Sequence, residues 1–237
     1  MPPSDIFIQG KLEMSAVPVQ EAAQAMLWDD FLLNRVLVVA AVLIGIAGLR
    51  DLLRLLPELL YCFSRPRASV SLEYNTSVVR MRNTAALISI LPFCLLADRF
   101  GLFRPELWSA VPEEWSAPAT VGVFLAYLLL RTVCSALIRP PRLSGTAADA
   151  VRRSPWNYFI LLTLLMLLTV GLLYIFRPSD TVVRITLYAE TALFFLLSLL
   201  RSGQILASGF SGLTTILYLC GLELLPAAAL AACAVFL

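Results

Sequence analysis

Six times between Phe31 and the C-terminus the chain returns to an apolar run long enough to cross a bilayer, and nothing else in it constrains the fold as tightly. The first run, Phe31 to Leu49, lies between Asp29-Asp30 and Arg50-Asp51. Its length suits a helix crossing a hydrocarbon core of roughly 30 Å. Further runs cover 84–103, 118–138, 157–176, 185–200 and 213–237. The second is the shortest in purely apolar residues; Arg82 can snorkel at one end, and Pro92 is expected to kink it. Hydrophobic residues make up 59% of the 237 and charged residues 14%, with a mean hydropathy of +0.84, against roughly 45–50% and 25% in ordinary soluble domains. The expected fold is an all-α integral membrane bundle of about six transmembrane helices, formed by residues 31–237. An N-terminal segment, 1–30, precedes it, and the connections are too short for a second folded unit.

The inventory removes whole classes of chemistry. The chain has no histidine, so imidazole bases, His-ligated zinc or haem and Ser-His-Asp hydrolysis are excluded. Cys62, Cys94, Cys134, Cys220 and Cys233 are scattered without a C-x-x-C pair and are expected to be free thiols. No metal and no cofactor are expected. Lys11 is the sole lysine, and no basic block interleaved with aromatics suggests nucleic acid. Residues 1–30 carry Asp5, Lys11, Glu13, Glu21, Asp29 and Asp30 and lack the pattern of a cleavable signal peptide, so the first span is expected to act as the targeting signal.

Arginine sets the expected orientation, because Lys and Arg accumulate in cytoplasmic loops. The connection after span one carries Arg50, Arg54, Arg65, Arg67, Arg80 and Arg82, and the one after span three carries Arg139, Arg142, Arg152 and Arg153. The connections after spans two and four carry only Arg99 with Arg104 and Arg177 with Arg184. This alternation places both termini on the extracytoplasmic side. Trp28, Trp108 and Trp115 flank spans at that surface and Trp156 opens span four at the other, as interfacial tryptophan should.

After span one, residues 50–63 read RDLLRLLPELLYCF, with Leu52, Leu56, Leu59, Leu60 and Phe63 on one helical face. They are expected to form an amphipathic helix on the cytoplasmic leaflet, with Arg65 and Arg67 favouring anionic headgroups. Continuation of span one into water is the alternative. Residues Val70 to Val79 suit either a hairpin or a docking loop.

Ionisable residues inside spans are costly, which makes each a candidate site. Glu223 lies about ten residues into span six, near mid-membrane, and Pro226 leaves a nearby carbonyl without its helical donor. Arg131, about seven residues from the cytoplasmic end of span three, matches its depth. The two could form a structural ion pair or a proton or cation site. Glu190 in span five and Arg35 in span one are also depth-matched and could form a second clamp. Gly221, Ala227 to Ala229, Ala231, Ala232 and Ala234 would let span six pack closely, in the bundle centre or in an oligomer, whereas the leucine-rich span four looks lipid-facing. Residues 201–212, RSGQILASGFSG, read as a flexible turn and match no nucleotide loop.

The string Leu217 to Pro226, LYLCGLELLP, with Gly122 to Leu130, GVFLAYLLL, and Trp156-Asn157-Tyr158 at the start of span four, resembles a family of polytopic membrane proteins of Bacteroidota, domain of unknown function 4271. The resemblance covers roughly Phe31 to the C-terminus and implies the cytoplasmic membrane of a two-membrane bacterium. It brings no activity, and it draws attention to Tyr218, Cys220, Glu223 and Pro226. Short loops and few intramembrane charges point to a non-enzymatic scaffold or accessory subunit of an envelope assembly or secretion complex. Its expected partners are the lipid bilayer and a membrane protein or a second copy of the chain. The alternative is a small transporter or lipid-handling protein working through Glu223 and Arg131.

Overall fold

The structure, a computed structural model, describes residues 28–64, 73–103, 111–137, 145–176 and 179–236. The segment up to residue 27, residues 70–72, Trp108, and Arg65, Arg67, Arg104, Arg139, Arg142 and Arg177 lie outside that set. The described residues form α1 (Leu32–Ser64), α2 (Thr76–Arg99), α3 (Ser116–Leu137), α4 (Gly145–Phe176) and α5 (Asp180–Ala207). A sixth rod joins α6 (Gly212–Leu219) and α7 (Leu225–Phe236) through a π-helical turn, Cys220–Leu224. Short 3-10 turns, Trp28–Asp30 and Glu113–Trp115, precede α1 and α3. Six rods are long and apolar enough to cross a membrane, and no strand occurs among the described residues. They alternate in direction. One end of the bundle, the Asp98 end, gathers Trp28, Asp98, Ser116 and Asp180; the other, the arginine end, gathers Arg80, Arg82, Arg152 and Arg201.

Helix α2 is the axis of the bundle. It packs on α1, α3 and α4 and has the largest buried share of any span, 39%, although its hydropathy, 1.3, is the lowest. The two facts share a cause: a helix packed against three others can carry Arg82, Ser89 and Asp98 on its buried faces. Weak hydropathy at this span marks centrality, not a doubtful crossing. The helix starts eight residues before the expected boundary because the Asn75 side chain caps it, accepting from the amides of Ser77 and Val78. It ends at Arg99 rather than at 103, because Gly101 adopts a left-handed φ of 62°. The Gly101 amide then bonds the Asp98 carbonyl and the Leu102 amide the Ala97 carbonyl, the double closure of a Schellman end.

Helix α1 runs unbroken for 33 residues, through Pro57. At about 1.5 Å per residue it measures some 50 Å, longer than a hydrocarbon core of roughly 30 Å. Residues 50–63 are therefore not a separate leaflet-bound helix: they continue span one, as in the alternative reading, and pack one side against the bundle. Leu55 and Leu59, both fully buried, pack against Ala85 and Ala86 of α2 and Ile160 and Leu161 of α4. Of the face read as membrane-seeking, Leu59 is buried and Leu52 and Leu56 are partly covered by protein, whereas Leu60 and Phe63 stay exposed. Between residues 73 and 79, a turn and the first residues of α2 stand where a hairpin or docking loop was expected.

The expected places of spans four and six are also corrected. The leucine-rich span four is an inner helix over its first half: α4 buries Tyr158, Ile160, Leu161, Leu162 and Met166, whereas Leu167, Leu168, Leu172, Tyr174, Ile175 and Phe176 leave its last part largely open. Leucine serves equally against lipid and against protein, so its abundance does not distinguish the two. Span six is not the centre of the bundle: its buried share, 17%, equals that of α5 and falls well below that of α2. Within α7, Ala228, Ala231 and Ala232 are exposed. The turn expected over 201–212 shrinks to 208–211, because α5 continues to Ala207. Arg201 is the reason that end is ordered: its guanidinium donates to the Phe63 carbonyl (2.6 Å) and Tyr158 hydroxyl (3.1 Å), placing a cation at the C-terminus of α1, where the helix dipole favours it.

Aromatic rings lock the middle of the bundle. Phe93 of α2, Phe124 of α3 and Phe159 of α4 meet pairwise with centroids 5.1–5.4 Å apart, within the range where such pairs add attraction beyond their buried area.

Candidate functional site

Of the residues singled out in the sequence, Arg131 and Glu223 are brought together. Arg131 Nη2 lies 2.7 Å from Glu223 Oε1 and its Nε 3.2 Å from Oε2, a two-pronged carboxylate contact. Both side chains are largely buried, at 12% and 6% exposure. Pro226 explains the local backbone: it lacks the amide that would bond the Leu222 carbonyl, and the chain widens into the π turn Cys220–Leu224, closed by the Leu225 amide on the Cys220 carbonyl. Glu223 sits on that turn. Arg131 also donates to the Arg152 carbonyl (3.3 Å), tying the pair to α4. With both carboxylate oxygens engaged by one guanidinium, the arrangement holds α3 to the π turn. Of the other residues in the same string, Tyr218 meets Phe210 in a tilted ring pair with centroids 5.2 Å apart, and Cys220 is an exposed free thiol.

The second clamp does not form. Glu190 Oε1 accepts from Thr169 (2.6 Å), whereas Arg35 reaches Asp30 five residues back in an exposed pair at 3.2 Å. Matched depth is necessary for pairing across a bundle but not sufficient, since the two residues must also face each other. Pro92 lies within α2 and lines the groove between α1 and α4.

Sequence reasoning missed two buried polar centres by assigning their residues to connections. Asp98 is fully buried and accepts from Trp28 Nε1 (2.6 Å), Ser116 Oγ (2.9 Å) and Thr120 Oγ1 (3.1 Å). It thereby joins the start of α1, the end of α2 and the start of α3. At the arginine end Glu73 bridges Arg82 and Arg153, the latter at 3.0 Å, with Arg82 and Glu73 almost wholly buried. A hydroxyl-bearing helix start at Ser116 and Thr120, opposite a carboxylate at a helix end, is the signal that could have pointed to the first centre.

A groove of about 1000 Å³ opens in the half of the bundle nearest the Asp98 end. Val38, Val42, Ile46 and Leu49 of α1 form one wall, Leu167, Val170 and Leu173 of α4 the other, and Pro92, Leu95 and Leu96 of α2 the floor. It exists because α1 and α4 share a core only toward the arginine end, at Leu55, Leu59, Ile160 and Leu161. Gly45 lines it, and a side chain added there would meet nothing within 4 Å. The lining is polar at one end, where Trp28, Arg99, Asp180, Thr181 and Arg184 gather. Arg99 lies over the Trp28 ring at 5.4 Å, and the Asp98 carboxyl fixes that ring through its indole N–H. The result is an apolar slot with a polar mouth that carries two guanidiniums.

Among the described residues no group of three or more Cys, Asp or Glu side chains is placed to hold a metal ion. No protein-family profile, curated protein or solved structure matches the chain.

Proposed function

We propose that this is a multi-pass membrane protein that holds a lipid, binding an anionic amphiphile laterally in the groove between α1 and α4. The groove carries the reading: about 1000 Å³ of largely apolar space with Arg99 and Arg184 at the same mouth. That volume is at the upper end of ordinary ligand sites, roughly 300–1,000 Å³. From Val38 to Leu49 the α1 wall runs about 16 Å at 1.5 Å per residue, a length suited to an extended acyl or isoprenoid chain. Arg99 and Arg184 present two guanidiniums at the mouth, beside Asp180 and the buried Asp98 behind Trp28, and their planar forks suit a phosphate or carboxylate headgroup.

The lipid-handling role sits here rather than at Arg131 and Glu223, whose charges satisfy each other. No step of bond making or breaking is assigned, so the role is non-enzymatic. The arginine distribution supports a cytoplasmic arginine end and extracytoplasmic termini. The groove mouth would then lie in the extracytoplasmic leaflet of a bacterial cytoplasmic membrane, the location that the resemblance to domain of unknown function 4271 also implies. The test is native mass spectrometry of the protein released from its own membranes, compared with Gly45→Trp. The wild type should carry a defined lipid, and the plugged variant, with normal folding, should lose it; equal retention by both rules out the groove as the site.

A second reading, a scaffold or accessory subunit of an envelope or secretion complex, rests on the exposed Ala228, Ala231 and Ala232 of α7, a narrow face that a helix of a protein partner or a second copy could approach closely. Co-purification of a stoichiometric protein lost on Ala231→Leu would favour it.

A further inference from the structure

The geometry points to a second, separate site: we propose that the arginine end holds a phosphate-recognising pocket between α2, α3 and α4. Two adjoining cavities of about 310 and 350 Å³ share Asn83, Leu87 and Arg153. Arg131, Arg152 and Arg153 line the first, Arg80 and Arg153 the second. Carboxylates account for only part of this charge. Glu223 engages Arg131, and Glu73 is divided between Arg82 and Arg153. Arg80 and Arg152 have no carboxylate partner among the described residues, and Asp149, one turn before Arg152 on α4, is exposed and lines neither cavity.

The side chains are also held ready. Arg152 Nε donates to Ser135 Oγ (3.1 Å), which fixes the guanidinium while leaving both Nη groups without a partner among the described residues. Ser135 in turn donates to the Thr132 carbonyl (2.8 Å). Asn83 adds a neutral amide donor to the same walls, and Trp156 lines the first cavity. Several guanidiniums with an amide donor, in excess over carboxylates, match a tetrahedral oxyanion better than a single carboxylate. Planar guanidinium forks suit phosphate oxygens in particular. Leu87, which lines both cavities, is 67% exposed on the outer surface of α2, so the pocket borders the bilayer as well as water. The phosphate can therefore arrive on a lipid headgroup or on a soluble anion.

The site does not depend on the groove. The experiment uses the full chain purified in detergent, with two probes: inorganic phosphate by titration calorimetry, and phosphatidylglycerol against phosphatidylcholine by native mass spectrometry. The variant is Arg80→Gln/Arg152→Gln, which orphans no carboxylate, and its folding is checked by thermal unfolding. Arg152→Lys should retain part of the binding, and Gly45→Trp all of it. Each charge-assisted contact removed should weaken binding roughly tenfold. Saturable phosphate binding lost in the double variant identifies a soluble anion. Preference for phosphatidylglycerol lost in that variant, with no phosphate binding, identifies a lipid headgroup. Wild type that binds neither probe, or a folded double variant that binds as wild type does, overturns the proposal.

Discussion

Replacing Glu223 by Gln should destabilise the bundle before it alters any activity. The substitution keeps the shape of the side chain and removes its charge, leaving Arg131 buried with a cation and no counter-ion. Two charges about 4 Å apart attract by about 4 kcal/mol at an effective dielectric constant of 20, and breaking one side of a buried pair costs about 3–5 kcal/mol. The geometry favours the middle or upper part of that range. Both prongs are short, 2.7 and 3.2 Å, and the side chains are only 12% and 6% exposed. Against a total stability of about 5–15 kcal/mol, the loss is large enough to lower the folded amount in membranes. The assay is unfolding by titrated denaturing detergent, alongside the fluorescence-detected gel-filtration yield. Arg131→Met/Glu223→Met should recover most of the stability, because it removes both charges together. A Glu223→Gln protein as stable as wild type would refute the structural reading and return the residue to a proton or cation role.

Leu59→Ala should destabilise by about 2–5 kcal/mol, because the side chain is fully buried between α2 and α4 and its removal leaves a cavity; the same denaturation assay measures it. Asp98→Leu should cost about 1–3 kcal/mol for each donor left unsatisfied among Trp28, Ser116 and Thr120, and it should loosen the groove mouth, read as faster loss of bound lipid. Gly101→Ala should cost about 1 kcal/mol, since an alanine at φ 62° carries the left-handed penalty, without changing lipid binding.

Most of the secondary structure was legible in the sequence, because crossing a bilayer imposes both length and apolarity. Depth arithmetic along two spans also brought Arg131 and Glu223 to one level, and Pro226 announced the backbone break that became a π turn. Other features depend on what each helix faces, and hydropathy is blind to that. Thus α2, the least apolar span, is the central one, and α4, the most leucine-rich in appearance, is buried at Ile160 to Leu162 and Met166 and open further along. Asp98, Glu73 and Arg82 look like loop charges until the helix ends that hold them are known. The groove was not legible at all. It arises from the divergence of α1 and α4 beyond their shared core at Leu55, Leu59, Ile160 and Leu161, and no local pattern encodes such an angle.

Electron cryomicroscopy of the full chain in nanodiscs made from its native lipids tests the central claim most directly. Lipid binding in the groove predicts a continuous elongated density between Val42 of α1 and Leu167 and Val170 of α4, with its head against Arg99 and Arg184, and absent from Gly45→Trp. A groove filled by side chains, by closure of α1 onto α4, or by density no different from the surrounding lipid annulus would contradict it.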